Sequence, residues 1–188
     1  MSETKRALRR RVLAARARLD PETLRANSGA VAEVLRERCV GTIAAYVPFG
    51  SEPGSLAVLD HLRGRGISVL LPVPGPDWVG YDGTLRTGRF PEPVGVPLGP
   101  GALRQAGLVI VPALAVDRRG NRLGRGGGFY DRALVGVTAP IVALLHDGEV
   151  LERVPAEPHD RPVDAVITPS SGWQPLDRVD GEASDGAP

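Results

Sequence analysis

From Thr42 to Val47 the chain runs six residues without a charged side chain, and Pro48 closes the run. Ser55 then opens a short stretch with Leu56, Leu59 and Leu62 at helical spacing, Gly64 and Gly66 break it, and Ile67 to Leu71 is again almost wholly apolar. A buried strand, a short helix and a second buried strand joined by connections of this length pair in parallel with a right-handed crossover. Such a unit commits the chain to an α/β fold, because a strand apolar on both faces needs cover on both. Leu108 to Val111, Pro140 to Leu145 and Val163 to Thr168 supply further buried strands, of which the first is the clearest. The expected fold is therefore a single three-layer α/β domain with a mainly parallel central sheet flanked by helices. It should span residues 1–176, with a polar tail over 177–188 expected to be disordered.

Two helices precede the first strand. Residues 3–19 carry Leu8, Val12, Ala15 and Leu19 on one stripe, and the rest of that surface is basic. Lys5 and Arg9, four apart, share a face and could grip one anion, whereas most of the remaining arginines read as a solvated face. Asp20 is placed to cap a second helix with Pro21 at its first position, running to about Cys39 and packing on the sheet through Leu24, Val31, Val34 and Leu35. Ser55 is placed to cap the third. Between Pro72 and Gly107, prolines and glycines interrupt every candidate element, and only Trp78 to Tyr81 and Leu85 to Phe90 hint at short strands. That stretch reads as a long excursion on the rim of the sheet, its aromatics either anchored in the core or lining a pocket.

The chemistry concentrates after Leu108 to Val111, in the stretch from Asp117 to Arg132, which contains five glycines and ends Gly126-Gly127-Gly128-Phe129-Tyr130-Asp131-Arg132. Glycines between two rigid elements let backbone N–H groups converge on phosphate oxygens, and the following helix adds the partial positive charge of its N-terminus. Arg122, Arg125 and Arg132 add full charges. Neither a Walker loop nor a dinucleotide fingerprint is present, so glycine content alone does not separate a phosphate cradle from a surface loop.

Composition excludes several other classes. A formal net charge of +1 gives no overall field that would draw the chain to nucleic acid or to a membrane. No apolar run approaches membrane-spanning length, and the arginine-rich N-terminus lacks the apolar core of a secretory signal. One cysteine, Cys39, forms no internal disulfide and reads as a packed thiol near a helix end; a cytoplasmic monomer is expected. Lys5 is the sole lysine in an arginine-rich chain, a compact charge suited to reaching a phosphate oxygen.

Four pieces taken together resemble the 5-formyltetrahydrofolate cyclo-ligase, or methenyltetrahydrofolate synthetase, family. They are the basic first helix with Lys5 and Arg9; the strand leading to Glu52; Val111 to Asp117 continuing through Gly120, Leu123 and Gly124 to Arg132; and Pro155-Ala156-Glu157-Pro158-His159-Asp160 followed by Val163-Asp164 and Ile167-Thr168. The resemblance implies ATP- and magnesium-dependent conversion of 5-formyltetrahydrofolate to 5,10-methenyltetrahydrofolate, with release of ADP and phosphate. It implies that Lys5, Arg9 and Arg122, Leu123, Gly124, Arg125, Gly126, Gly127, Gly128, Phe129 and Tyr130 bind ATP. Val47, Glu52 and Arg125 to Phe129 would border the folate, Glu52 bonding the pterin edge. Asp131 and Asp160 would hold magnesium, and Arg125, Tyr130 and Arg132 are the candidate catalytic groups, with Arg132 either buttressing the loop or meeting phosphate charge.

Plainer roles stand beside each of these: Asp131 as a first-turn helix residue, Asp160 as half of a surface ion pair, Lys5 as a solvated cation, Glu52 as a loop carboxylate. The chain also departs from the commonest family pattern. Phe129 stands where tyrosine is usual, Pro53-Gly54-Ser55 follows Glu52 where Val-Asp-Thr is frequent, and Glu149 falls where Gln is common. A sugar-phosphate or acyl substrate on a similar scaffold, and an RNA surface on the first helix, are the competing readings.

Overall fold

The computed structural model describes residues 3–75, 77–88, 90–157 and 160–177. Pro158 and His159 of the fourth motif, and the expected tail beyond Asp177, lie outside the described residues. The chain begins with α1 (Lys5–Arg16) and α2 (Pro21–Arg38), then β1 (Thr42–Ala44), α3 (Leu56–Gly64) and β2 (Ser68–Val73). It continues through β3 (Asp77–Gly80), β4 (Leu85–Arg86), β5 (Glu92–Pro93), a 3₁₀ helix (Pro100–Gln105) and β6 (Leu108–Pro112). The last part holds β7 (Ala115–Asp117), β8 (Arg122–Leu123), α4 (Phe129–Ala133), β9 (Ile141–Leu144), β10 (Val150–Leu151), β11 (Ala165–Thr168) and β12 (Gly172–Pro175).

Seven strands form the central sheet in the order β12-β11-β9-β6-β1-β2-β3. The five inner strands are parallel, with Ile43 opposite Val69, Val109 opposite Ile141 and Val142 opposite Ala165; β3 and β12 add antiparallel edges. Side chains alternate across the pleat. Ile43, Val69, Leu71, Ile110, Leu144 and Ile167 face α2 and α3, whereas Ala44, Leu70, Val109, Val111, Ala143 and Val166 face the 3₁₀ helix and the segment around Leu134. The strand, helix, strand unit thus holds, with two faces covered and three layers formed.

Several local expectations change. On α1 the buried stripe is Leu8, Val12 and Arg16, and Ala15 is exposed, because this helix packs on Ala115 and Leu123 of a small sheet and on Leu114 beside it rather than on the central one. That sheet, β10-β7-β8, was not visible in the sequence, since its strands are two or three residues long. Asp20 caps α2 as expected, accepting from Thr23 N at 2.8 Å, but Ser55 occupies the cap position of α3 without a side-chain cap bond. The rim excursion splits. Trp78 and Tyr81 are buried, with β3 extending the sheet, while Phe90 is exposed and meets Phe49 edge to face at 4.7 Å between ring centres. Cys39 closes α2 as a buried thiol whose pKa burial pushes up to about 11.

Candidate active site

Past the carboxyl end of β6 the chain turns through Ala113 and Leu114 into a β7–β8 hairpin before it reaches the glycines. Asp117, 2% exposed, holds the turn: its carboxylate accepts from Arg119 N, Asn121 N and Asn121 Nδ2, and from Val154 N across the small sheet. At the tip, Gly120 takes φ +85°, and a Cβ there would lie 2.3 Å from the carbonyl oxygen of Val163, so only glycine fits. The first part of the glycine-containing stretch is therefore a braced hairpin. The cradle proper is Gly124 to Gly128, presented by β8.

Gly124 to Gly128 line a cavity of about 620 Å³, together with Lys5, Arg9, Glu52, Arg122, Leu123, Arg125, Phe129, Tyr130, Asp131 and Asp160. It opens beyond the carboxyl ends of β1 and β6, where open parallel sheets place their ligands. Thr4, Arg6, Pro112, Ala113, Leu114 and Glu157 complete the lining. Two of the proposed site residues do not reach it. Val47 packs against the core beside α2 and α3, and Arg132 lies outside, its Nη2 donating to Gly127 O at 3.3 Å, the geometry of a buttress. No described residue of the 72–107 excursion lines the cavity.

Cations and carboxylates in the cavity meet in pairs. Lys5 Nζ contacts Asp160 at 2.6 Å and Glu157 at 3.2 Å. Arg122 Nη2 donates to Asp131 at 2.7 Å, and Arg125 Nε to Glu52 at 2.8 Å. Arg9 instead donates to the backbone, its Nε 2.8 Å from Gly124 O, and its guanidinium lies 3.4 Å from where a Cβ on Gly126 would sit. The first helix thus clamps the glycine loop. Arg122 is buried between Pro112 O, Asp131 and the Tyr130 ring, and its Nε finds no acceptor among the described residues, which leaves a buried donor for an added oxygen to satisfy.

Burial lowers the Lys5 pKa as the largest single influence, but the hydrogen bonds and charges of Asp160 and Glu157 together outweigh it and hold the ammonium above its ordinary value. The Tyr130 phenol is pushed up by desolvation, which the Arg122 charge only partly offsets, with Glu52 adding to the rise. Tyr130 is thus a hydrogen-bond donor rather than a base at neutral pH. Phe129, whose hydroxyl-free ring replaces the usual tyrosine, packs edge to face on Tyr130 and lies near buried Trp78. The α4 helix has only five residues, so the dipole expected at its N-terminus is small, and the loop's N–H groups and cations carry the attraction for anions.

Sequence reasoning missed one polar group behind the cavity. Arg16, placed among the solvated arginines, is 2% exposed and pairs with buried Glu149 through Nε and Nη2, each at 2.7 Å. The signal was available, since Arg16 stands one turn after Val12 on the buried stripe.

Fold and cavity define the class: a parallel α/β domain whose cavity is lined by a glycine loop and by cations of the kind that suit an anion. Comparison narrows the class, since the 5-formyltetrahydrofolate cyclo-ligase family model matches residues 1–169, and the chain belongs to that family. It is 44% identical over 147 residues to the 5-formyltetrahydrofolate cyclo-ligase of Mycolicibacterium smegmatis, covering 70% of this chain and 75% of that one. The Escherichia coli K12 enzyme of the same name is 32% identical over 147 residues, covering 71% and 80%. Among solved structures, the Aquifex aeolicus 5,10-methenyltetrahydrofolate synthetase superposes with a TM-score of 0.75 at 29% identity, covering 95% of each chain.

Proposed function

We propose that this protein is a 5-formyltetrahydrofolate cyclo-ligase, converting 5-formyltetrahydrofolate and ATP to 5,10-methenyltetrahydrofolate, ADP and phosphate. The observation that carries the reading beyond family membership is the meeting, in one cavity, of the Gly124 to Gly128 backbone, the cations Lys5, Arg122 and Arg125, and the recessed carboxylate Glu52. The first set suits a polyphosphate and the last suits the N–H edge of a pterin.

The formyl group on N5 is an amide with a weakly electrophilic carbon and a poor leaving oxygen. Transfer of the γ-phosphoryl group to that oxygen releases ADP and corrects both. N10 then attacks the formyl carbon and loses its proton, the C–O bond breaks, and phosphate departs. The protein's task is to align the two substrates and balance charge. Lys5 and Arg122 bind phosphate oxygens, Arg9 keeps the loop shaped to receive them, and Arg125 leaves Glu52 for the transferring phosphoryl group. Tyr130 donates a hydrogen bond into the site. Arg132 supports the loop from outside.

Asp131 and Asp160 both border the cavity, and no group of three or more metal-ligating side chains occurs among the described residues. Two carboxylates fit a magnesium ion that takes its other ligands from phosphates and water, and these two residues would hold it. When bound, the ion would neutralise phosphate charge. Arg122 and Lys5, which pair with these carboxylates, also line the cavity and would face the nucleotide phosphates there. The reading includes a cytoplasmic monomer that does not bind nucleic acid. No described helix is long and apolar enough to cross a membrane.

The test is absorbance in the methenyl-folate band with protein, 5-formyltetrahydrofolate and magnesium, before and after ATP. An ATP-dependent rise is expected. Its absence in folded protein would return the sugar-phosphate or acyl reading to the front.

A further inference from the structure

Glu52 sits in an irregular turn, and the turn's own bonds are few: Glu52 N donates to Phe49 O at 3.2 Å, and Phe49 N to Glu52 Oε2 at 3.0 Å. Three side chains from outside hold its later carbonyls. Tyr46 Oη donates to Pro53 O at 2.7 Å, Ser28 Oγ to Gly54 O at 2.9 Å, and the His146 ring contacts Ser51 O through Nε2 at 2.9 Å. The carbonyl of Ser51 belongs to the peptide bond that begins Glu52. Of these three side chains, His146 is therefore the one bonded nearest to Glu52 along the chain.

His146 is itself fixed on every side. Ser51 O can only accept, so Nε2 carries the hydrogen, and Nδ1 faces Asn27 Nδ2 of α2 at 3.1 Å as the acceptor. Its backbone N donates to Glu149 Oε2 at 2.8 Å, and Glu149 N returns a bond to His146 O at 3.2 Å. Glu149 is held by Arg16, whose Nη2 also reaches Ala113 O at 2.7 Å, next to the cavity wall. All three side chains are more than nine-tenths buried. A continuous polar path thus runs from α1 through the turn after β9 to the peptide that presents Glu52. Side chains that lock the group supporting a ligand contact set its geometry, and looseness there is felt as lost affinity.

We infer that His146 is a positioning residue for the folate subsite, fixing the Ser51–Glu52 peptide so that the Glu52 carboxylate stays aimed into the cavity, with Arg16 and Glu149 holding His146 in place. The inference rests on the proposed function for its substrate, though not for its geometry. Among the described residues, the hydrogen bonds of Lys5, Arg9 and Arg122 on the nucleotide side go to groups outside this path, so its loss is felt by the folate and not by ATP.

Two substitutions of similar size separate positioning from bulk stability. Asparagine at 146 can meet Asn27 but falls short of Ser51 O, whereas glutamine can extend its amide to where Nε2 stands. His146→Asn is expected to raise the KM for 5-formyltetrahydrofolate about tenfold while leaving the KM for ATP and kcat within about twofold. Hydrogen exchange at the Phe49 and Glu52 amides should accelerate in the same variant, and His146→Gln should restore both readouts. A folate KM within about twofold of wild type in His146→Asn, equal losses toward both substrates, or failure of His146→Gln to rescue would overturn the inference. If the asparagine variant does not fold, Asn27→Ala replaces it, with the same folate-selective shift expected at about threefold. An inactive wild-type protein would defeat the proposed function alone. Amide exchange at Phe49 and Glu52 would then decide the positioning by itself, and unchanged exchange in the variant would reject it.

Discussion

Two arginine–glutamate pairs of almost equal length serve this molecule in opposite ways. Arg16 and Glu149 meet at 2.7 Å with side chains 2% and 9% exposed, whereas Arg125 and Glu52 meet at 2.8 Å with 51% and 11% exposed. In the first pair both charges have left water, so neither can be removed without stranding the other. In the second the arginine is half in solvent, its attraction is screened, and little is lost when it swings to another anion. Bond length does not distinguish scaffold from working part. The cost of separating the partners does.

The largest effect should come from Arg16→Met, which leaves the Glu149 carboxylate buried without its cation. We expect a loss of about 3–5 kcal/mol and a fall in Tm of roughly 10 °C, read by thermal or denaturant unfolding. Stability within about 0.5 kcal/mol of wild type would erase the distinction between the pairs. Arg125→Ala should show the reverse profile. Unfolding stays within about 0.5 kcal/mol, while kcat/KM in the methenyl-band assay falls about 100-fold. Asp131→Asn retains an oxygen for Arg122 and so keeps the fold, but should raise the magnesium concentration for half-maximal rate about tenfold. A wild-type magnesium dependence would remove Asp131 from the proposed metal site.

The smallest effect concerns Lys5. Its pKa is raised above the ordinary 10.5 by Asp160 and Glu157 against the opposing influence of burial. The stability it contributes is thus complete below that value and is lost as pH climbs through the higher folded one. Thermal unfolding above pH 10.5 should decline more steeply for wild type than for Lys5→Met, by less than about 1 kcal/mol. Parallel alkaline limbs would show that the contact adds nothing.

Much of this was legible without coordinates. Apolar runs announced β1, β2, β6, β9 and β11, because a strand buried on both faces leaves no polar positions to blur the pattern. Gly124 to Gly128 stood out as a cluster between two rigid elements, Glu52, Asp131 and Asp160 were singled out through the family resemblance, and all of them border one cavity. The strands β7, β8 and β10 were illegible, since two or three residues carry no period and Asp117 joins them by bonds across 37 positions. Val47 was placed in the site by resemblance, but packing turned it to the core, and of the two roles left open for Arg132 its bond to Gly127 O fits the buttress.

Sequence by itself determined the α/β class and the order of the inner elements along the chain, because hydrophobic period is a local property. Tertiary structure alone decided which charges face one another. Arg16 and Glu149 lie 133 residues apart, and Arg125 and Glu52 lie 73 apart. Whether such a pair is a fixed strut or an exchangeable contact depends on how much water the fold leaves around it, and burial is a property of the packed molecule, not of either residue.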